Sequence, residues 1–171
     1  MSQQGPGSST AISDVAMRKM RSLFASGVTV VTTALENRLH GVTISAFTSV
    51  SLDPPLVLIV LANETATRDM IVESSIFAVN VLSDEQEFLS ERFAARAPIV
   101  NEMFDGVSFH AGVTGAPILE KSLAWYDCRV EATHEGGDHT IFIGRAEAVG
   151  IEQSRQPLIY FANRYRRLSD R

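Results

Sequence analysis

The alternation of apolar and polar residues along the chain predicts a β-rich protein with a few short helices. Residues 28–34 are rich in Val and Thr, and residues 41–55 begin as an alternating strand, so a turn near residues 36–38 would join them as a hairpin. Residues 56–61 are apolar at every position, which predicts a central strand covered on both faces. Further strands are predicted over residues 77–82, 123–134, 140–151 and 158–161.

Helices are predicted where apolar residues recur at helical spacing after a capping residue. Ser13 precedes such a pattern, which predicts a helix over residues 14–25, and a shorter helix fits residues 68–73. Ser83 and Gln86 form a capping box that opens a helix extending to Phe93, and residues 94–104 read as irregular. Strands in hairpin succession with helices at the periphery predict a small antiparallel barrel. One domain would span residues 13–171 after a flexible tail at residues 1–12.

The net charge and the cysteine content argue against several classes of binding partner and of metal or disulfide site. The 171 residues carry a formal net charge of −5, which argues against nucleic-acid binding and against attraction to anionic membranes. One cysteine, Cys128, excludes an intramolecular disulfide and a Cys-rich zinc site, and no His, Cys and carboxylate set has metal-ligand spacing. The N-terminus lacks the charged and apolar regions of a signal peptide, and no apolar stretch could span a bilayer. These features predict a cytoplasmic protein.

The run from Gly41 to Pro55 carries the main chemical signal. As a strand it would place Thr43, Ser45 and Ser49 on one face, where hydroxyls and backbone N–H groups suit an anionic, polyoxygenated ligand such as a nucleotide. A sheet strand with a solvated polar face explains the same pattern. His139 follows a tight turn and has two interpretations as well, a functional histidine or one that only bonds Asp138 or the turn backbone.

Four segments together resemble the short-chain flavin reductases of the FMN-binding split-barrel group. Residues 43–55 resemble the family's T-x-S-x-F-x-S-V-S-x-x-P-P segment, and residues 137–144 resemble its G-D-H hairpin. Residues 77–82, followed by Arg92-Phe93-Ala94, and residues 157–161, followed by Arg164-Tyr165-Arg166, complete the likeness. It covers residues 17–168 and implies a mainly β fold, a split barrel with peripheral helices, in which the flavin lies at a homodimer edge.

The resemblance also implies the residues of the site. His139 would face the nicotinamide side of the flavin and act by position and hydrogen bonding. Cofactor contacts would come from the alternating run, from the segment after the apolar strand, from the helix after residue 82 and from the C-terminal segment. They are Thr43, Ile44, Ser45, Ser49, Val50, Ser51, Asn63, Thr65, Thr67, Arg92, Phe93, Tyr160 and Arg164.

The implied reaction is reduction of FMN or FAD by NADH or NADPH through hydride transfer. The reduced flavin would pass to a transient partner, a monooxygenase. Two alternatives keep the fold: electron transfer from reduced flavin to a metal centre, such as ferric iron or corrinoid cobalt, and a flavin-binding module without turnover. The chain has no Gly-x-Ser-x-Gly elbow, no P-loop and no Gly-x-Gly-x-x-Gly signature, so a nicotinamide dinucleotide would bind without a Rossmann unit.

Overall fold

The computed structural model describes residues 12–95, 102–152 and 154–168, and most of them lie in antiparallel strands. The helices are α1 (Asp14–Ser22), α2 (Ala66–Ser74) and α3 (Glu87–Phe93), the last preceded by a 3-10 turn over Asp84–Gln86. In chain order the strands are β1 (Ser26–Gly27), β2 (Thr29–Leu35), β3 (Arg38–Ile44), β4 (Phe47–Leu52), β5 (Pro55–Ala62), β6 (Ile76–Val81), β7 (Phe109–Ala111), β8 (Pro117–Leu119), β9 (Ala124–Gly136), β10 (His139–Ile151), β11 (Ile159–Phe161) and β12 (Arg164–Arg166).

Seven strands form the main sheet in the order β3-β2-β6-β9-β10-β5-β4, and all neighbours in it are antiparallel. Strands β9 and β10, of 13 residues each, form a long hairpin whose tip is the two-residue turn Gly137–Asp138. A small sheet, β1-β11-β12, and the pair β7-β8 lie beside it. Because β3 and β4 lie at opposite ends of the hydrogen-bonded order, the main sheet has the open seam of a split barrel, and the predicted mainly β fold is confirmed.

The main hydrophobic core lies between the strands of the large sheet. Val31, Ile59, Phe77 and Phe142 are fully buried in it, as the alternating pattern of these strands requires. Several polar residues are also fully buried, among them Asn80 of β6. Its amide donates to the carbonyl of Val30 and to Thr32 Oγ1, each at 3.1 Å, and its Oδ1 accepts from the Leu119 amide at 2.8 Å. Asn80 is therefore a satisfied structural group that ties β6 to β2 and β8.

The structure corrects the prediction that residues 56–61 form a central strand. They belong to β5, which lies second from the edge, between β10 and the edge strand β4. Val57, Ile59 and Leu61 are buried in the core, whereas Leu58 and Val60 are only half-buried on the other face. The sequence of β5 is apolar on both faces because the second face is partly covered. Its apolar residues do not mean that the strand lies at the centre of the sheet.

The single strand predicted from Gly41 is also wrong, since the chain changes direction between Ile44 and Phe47. β3 ends at Ile44 and pairs with β2, while β4 begins at Phe47 and pairs with β5. A further register shift between Ser49 and Ser51 breaks the alternation again. The hydroxyls of the run therefore do not share one continuous face. Asp53 and Pro54 form the next turn.

The sequence predicted the start of α1 correctly and its end incorrectly. Ser13 caps α1 by accepting the Ala16 amide at 3.2 Å, but α1 stops at Ser22 rather than at residue 25. The chain leaves the helix there because Ser26 and Gly27 pair with Tyr160 and Ile159 as β1. The capping box is confirmed, and it first closes a 3-10 turn before α3 begins.

The stretch predicted as irregular, residues 94–104, lies partly outside the described residues. The short strands β7 and β8 follow it and were not predicted, because three residues give no readable periodicity. Among the described residues, no helix is long and apolar enough to cross a membrane.

Candidate active site

A cavity of about 670 Å³ opens where β3 ends, beside the tip of the β9–β10 hairpin. Its walls come from α1, the end of β3 and the bend after it, the end of β5, α3, the start of β10, and the small sheet that contains β11 and β12. The size is ordinary for a small-molecule site. The residues that carry the chemistry of the walls are Arg18, Lys19, Arg21, Val42, Thr43, Ile44, Ser45, Val60, Thr65, Ser90, His139, Tyr160 and Tyr165.

The end of β3 forms the floor of the cavity. Thr43 Oγ1 donates to the carbonyl of Ser90 at 2.7 Å, which ties the strand to α3 and leaves the Thr43 oxygen free to accept. Ile44 and Val60 provide apolar surface next to it, and the hydroxyl of Ser45 lies on the exposed bend that follows β3. A flat apolar wall beside hydroxyl groups suits a ring system with polar edges.

His139 begins β10 and lines the cavity at the tip of the hairpin. Its Nδ1 lies 2.6 Å from Asp138 Oδ1, as the structural interpretation predicts, while its position at the cavity leaves the functional role a prediction. The hydrogen bond from His139 is the main reason that the pKa of Asp138 lies below its usual range, and the charges of His139 and Arg18 lower it further. With the Nδ1 proton directed to a carboxylate, Nε2 of the neutral ring is an acceptor.

A chain of hydrogen bonds braces the hairpin tip against β5 and α2. Arg68 Nε donates to Thr140 Oγ1 at 3.1 Å, and Thr140 Oγ1 donates to Asn63 Oδ1 at 2.7 Å. Asn63 in turn donates its side-chain amide to the Gly137 carbonyl at 3.2 Å and its backbone amide to the Asp138 carbonyl at 3.0 Å. This brace fixes the backbone on either side of His139.

The C-terminal segment forms a further wall of the cavity. The Tyr165 hydroxyl lies 2.8 Å from Ser90 Oγ and donates to the Glu91 carboxylate, so β12 is attached to α3. The rings of Tyr160 and Tyr165 meet edge to face with their centroids 5.3 Å apart. Both tyrosines line the cavity, so they add aromatic surface to its walls.

Six residues predicted for the site from the sequence meet at this cavity. They are Thr43, Ile44, Ser45, Thr65, His139 and Tyr160. A seventh, Asn63, acts on the site through the brace rather than as a wall residue.

The other predicted residues lie elsewhere in the chain as described. Thr67 is fully buried and its hydroxyl lies 2.7 Å from His40 Nδ1, and Phe93 is buried in the second core cluster with Leu89. Arg92 donates to the Glu102 carbonyl at 3.2 Å. The remaining four, which are Ser49, Val50 and Ser51 on the edge strand β4 and Arg164 on β12, do not line the cavity.

Sequence reasoning missed the wall that α1 contributes, including Arg18, Lys19 and Arg21. It also used Tyr165 only as part of the C-terminal likeness. The sequence contains a signal for the α1 wall, because Arg18 and Arg21 are three residues apart and share one side of the helix. The sequence does not show which part of the protein that side faces, because tertiary packing decides it.

The fold and the cavity together define a class: antiparallel split-barrel proteins with a nucleotide-sized site at the sheet edge. Among the described residues, no group of three or more His, Cys, Asp or Glu side chains could hold a metal ion. The sequence from residue 20 to residue 169 matches the family described as flavin reductase like domain. The chain belongs to this family.

Characterised relatives cover nearly the whole chain. An NADH-dependent flavin reductase of Rhodococcus sp is 39% identical, over 89% of this chain and 85% of its own length. The reductase component of 4-hydroxyphenylacetate 3-monooxygenase of Thermus thermophilus is 37% identical, over 90% of this chain and 95% of its own length.

Solved structures agree with the sequence relatives. The NADH:FAD oxidoreductase SgcE6 of Streptomyces globisporus superposes with a TM-score of 0.89 at 34% identity, covering 96% of this chain and 99% of its own. The same protein in complex with NAD and FAD fragments gives a TM-score of 0.84 at 35% identity, covering 91% and 92% of the two chains. The expected fold and family are confirmed.

Proposed function

We propose that this protein is an NAD(P)H:flavin oxidoreductase that reduces FMN or FAD by hydride transfer. One observation carries the proposal: in a member of the flavin reductase like family, a 670 Å³ cavity brings Thr43, Ile44 and Ser45 together with His139. The relatives are named as flavin reductases and as reductase components of monooxygenases, which supports the same activity for this chain.

The cavity has the chemistry that a flavin needs. Val42, Ile44 and Val60 offer apolar contact for the ring system, and Ser45 and Thr65 offer hydroxyl groups at its edge. No Asp or Glu lines the cavity in the described part of the chain, so nothing there opposes an anionic cofactor. A flavin supplies the redox chemistry itself when bound, and the protein has to bind, orient and exclude water.

His139 is proposed to position the nicotinamide. Its ring is held by Asp138 and its backbone by the Asn63 brace, so the Nε2 acceptor is fixed in direction. A fixed acceptor can orient the carboxamide of a nicotinamide and thereby lower the entropic part of the barrier to hydride transfer. No proton has to move from His139 in such a step.

We further propose that the protein is a homodimer. α1 has no buried residue, and Met17 and Met20 on it, with Leu23 and Phe24 just after it, are all more than half exposed, at 60%, 65%, 54% and 80%. An apolar helix face of this kind is costly in water unless a partner covers it. The predicted contacts of Ser49, Val50, Ser51 and Arg164, which do not line the cavity of one chain, stay predictions within this dimer. Light scattering at micromolar concentration tests it, and a monomer mass would contradict it.

The proposed destination of the reduced flavin is a monooxygenase, reached by diffusion or transient contact in the cytoplasm. The reductase component from T. thermophilus supports this proposal by its name. The alternative acceptor is a metal centre of another molecule, such as ferric iron or corrinoid cobalt, which would take electrons from the reduced flavin.

The deciding experiment is steady-state oxidation of NADH and of NADPH by the purified protein with FMN, FAD or no added flavin. We expect oxidation that depends on added or bound flavin. Flavin binding without nicotinamide oxidation would contradict the proposal and favour a binding module. Anaerobic turnover with a ferric complex, at a rate no higher than that of free reduced flavin, would argue against a direct metal acceptor.

A further inference from the structure

The charged side chains that line the cavity all have the same sign. The chain as a whole is acidic, with a formal net charge of −5, yet the charged lining residues are Arg18, Lys19 and Arg21 of α1. A concentration of positive charge in the wall of a cavity of an acidic protein selects for anionic ligands and raises their local concentration. No carboxylate lines the same cavity among the described residues.

Among the described residues, these three cations form no ion pair at contact distance with a carboxylate. Ion pairs at contact distance in the described chain involve other arginines, namely Arg68, Arg145, Arg155 and Arg167. Arg18 acts at a distance on Asp138, whose carboxylate accepts from His139, and this places its charge near the hairpin tip. Arg18, Lys19 and Arg21 are exposed and can therefore rearrange around a ligand.

We propose that Arg18, Lys19 and Arg21 form a phosphate-binding subsite for the nucleotide that occupies the cavity. The inference rests on the proposed function in one respect, that the ligand is a nucleotide. Arg18 and Arg21 are three residues apart and lie on the same side of α1, and a guanidinium group can bind phosphate oxygens in a bidentate manner. Lys19 adds an ammonium group on a flexible side chain, which attracts phosphate without a fixed hydrogen-bond geometry.

The phosphate can belong to the flavin nucleotide or to the nicotinamide dinucleotide, and the recognition chemistry is the same for both. Two matched pairs of ligands separate these sources. FMN is compared with riboflavin, and NADH with dihydronicotinamide riboside, because the second member of each pair lacks phosphate. Equilibrium dissociation constants are measured by fluorescence for the wild-type protein and for the triple variant R18Q/K19Q/R21Q, without turnover.

We expect the triple variant to bind one phosphate-bearing ligand about tenfold more weakly, from three partly exposed charge contacts. Its phosphate-free counterpart should bind equally well to both proteins. Raising the salt concentration should weaken phosphate-dependent binding to the wild type and have less effect on the variant. A selective loss for FMN identifies the flavin phosphate as the source, and a selective loss for NADH identifies the dinucleotide.

Two further variants control for charge and folding. Arg18→Lys with Arg21→Lys keeps the charges and should retain most of the affinity. Arg38→Gln removes an exposed arginine at the other end of β3, about 13 Å by strand geometry from Val42, the first residue of that strand to line the cavity, and should change nothing. The three substituted side chains are exposed polar groups, so the triple variant should unfold at the wild-type temperature.

The proposal would be overturned by equal losses for the phosphate-bearing and phosphate-free ligands, or by unchanged affinity for FMN and NADH alike. Failure of all four ligands to bind the wild type would overturn it together with the nucleotide site. If FMN binds through these residues but NADH and NADPH are not oxidised, the subsite stands and the reductase proposal fails. If the triple variant binds FMN and NADH as tightly as the wild type does, and NADH is still oxidised, the subsite proposal fails and the reductase proposal stands.

Discussion

His139 Nδ1 lies 2.6 Å from Asp138 Oδ1 at the mouth of the cavity. When the ring is neutral, this contact leaves Nε2 as an acceptor, on a backbone that Asn63 holds in place. The last residue of the turn and the first residue of β10 thus have different roles. Asp138 sets the tautomer of the ring, and His139 presents the other nitrogen to the site.

His139→Ala should raise the Michaelis constant for the nicotinamide dinucleotide and slow flavin reduction. Loss of one orienting hydrogen bond is worth about 0.5–1.5 kcal/mol, which corresponds to roughly threefold to tenfold. Flavin affinity should change little, because the end of β3 forms a different wall. Stopped-flow reduction across a range of NADH concentrations measures both effects.

Asp138→Asn is the matched variant for His139. It keeps the ring and replaces a charge-assisted hydrogen bond with a weaker neutral one, so its effect should fall between wild type and His139→Ala. Identical reduction kinetics in all three proteins would remove His139 from the site. Loss of thermal stability in both variants would show that the contact mainly holds the turn.

Ser45→Leu should weaken flavin binding by roughly tenfold, or about 1.4 kcal/mol, because a branched side chain would occupy space at the cavity wall. Ser45 is exposed, so the free energy of unfolding should change by no more than about 0.5 kcal/mol. Thr133→Leu makes a comparable change at an exposed position of β9 and is the control. Flavin titrations that do not distinguish Ser45→Leu from the control would place the flavin away from this bend.

Gly144→Ala should destabilise the protein by about 1–3 kcal/mol, because the core there has no room for another carbon. An added Cβ would lie 2.2 Å from Phe77 Cζ and 3.1 Å from Cys128 Cβ, and Phe77 is fully buried. Gly27→Ala is the control, since its Cβ would meet nothing within 4 Å. Denaturant unfolding of both variants tests the difference, and equal midpoints would show that the sheet relaxes around residue 144.

The unfolding free energy should fall at alkaline pH through Cys128. Burial raises the pKa of the Cys128 thiol from 9.0 to about 12, with smaller contributions from the charges of Asp127 and Glu147. A group whose pKa is raised by folding stabilises fully below its unfolded pKa, and this contribution is lost as the pH rises from 9.0 towards 12. By pH 10 the loss should be on the order of 1 kcal/mol.

Cys128→Ala removes that titration and should flatten the alkaline slope, although its stability at neutral pH will be lower because of the vacated space. The comparison is therefore between slopes from pH 8 to pH 10. Parallel slopes would show that the thiol ionises in the folded protein. A thiol reagent should likewise modify Cys128 only on unfolding, since this residue is fully buried.

The sequence was most informative where a local rule decides the structure. Ser13 and the pair Ser83–Gln86 marked helix starts because capping involves residues only three apart. The β9–β10 hairpin was predicted correctly because its strands are long and its turn is rich in glycine. These are contacts between neighbours in the chain, which a single sequence can show.

The sequence was less informative where distant segments decide the structure. Nothing near Ile44 signals that the chain leaves β2 there and starts pairing with β5 at Phe47. The same holds for the site: Arg18 and Tyr165 meet residues of β3 and β10 at one cavity, although they come from opposite ends of the chain. Thr67 followed the family pattern but turned its hydroxyl to His40, inside the protein.

The hydrogen bonds from Arg68 through Thr140 to Asn63 have a dynamic consequence. The amide of Asn63 donates to the Asp138 carbonyl, so the hairpin tip cannot lift without opening β5 and the start of α2 as well. Amide hydrogens at this tip should therefore exchange with solvent slowly for a turn, in step with the sheet. The wall that carries His139 then behaves as a fixed surface. Any movement that admits or releases a nucleotide therefore has to take place in another wall of the cavity.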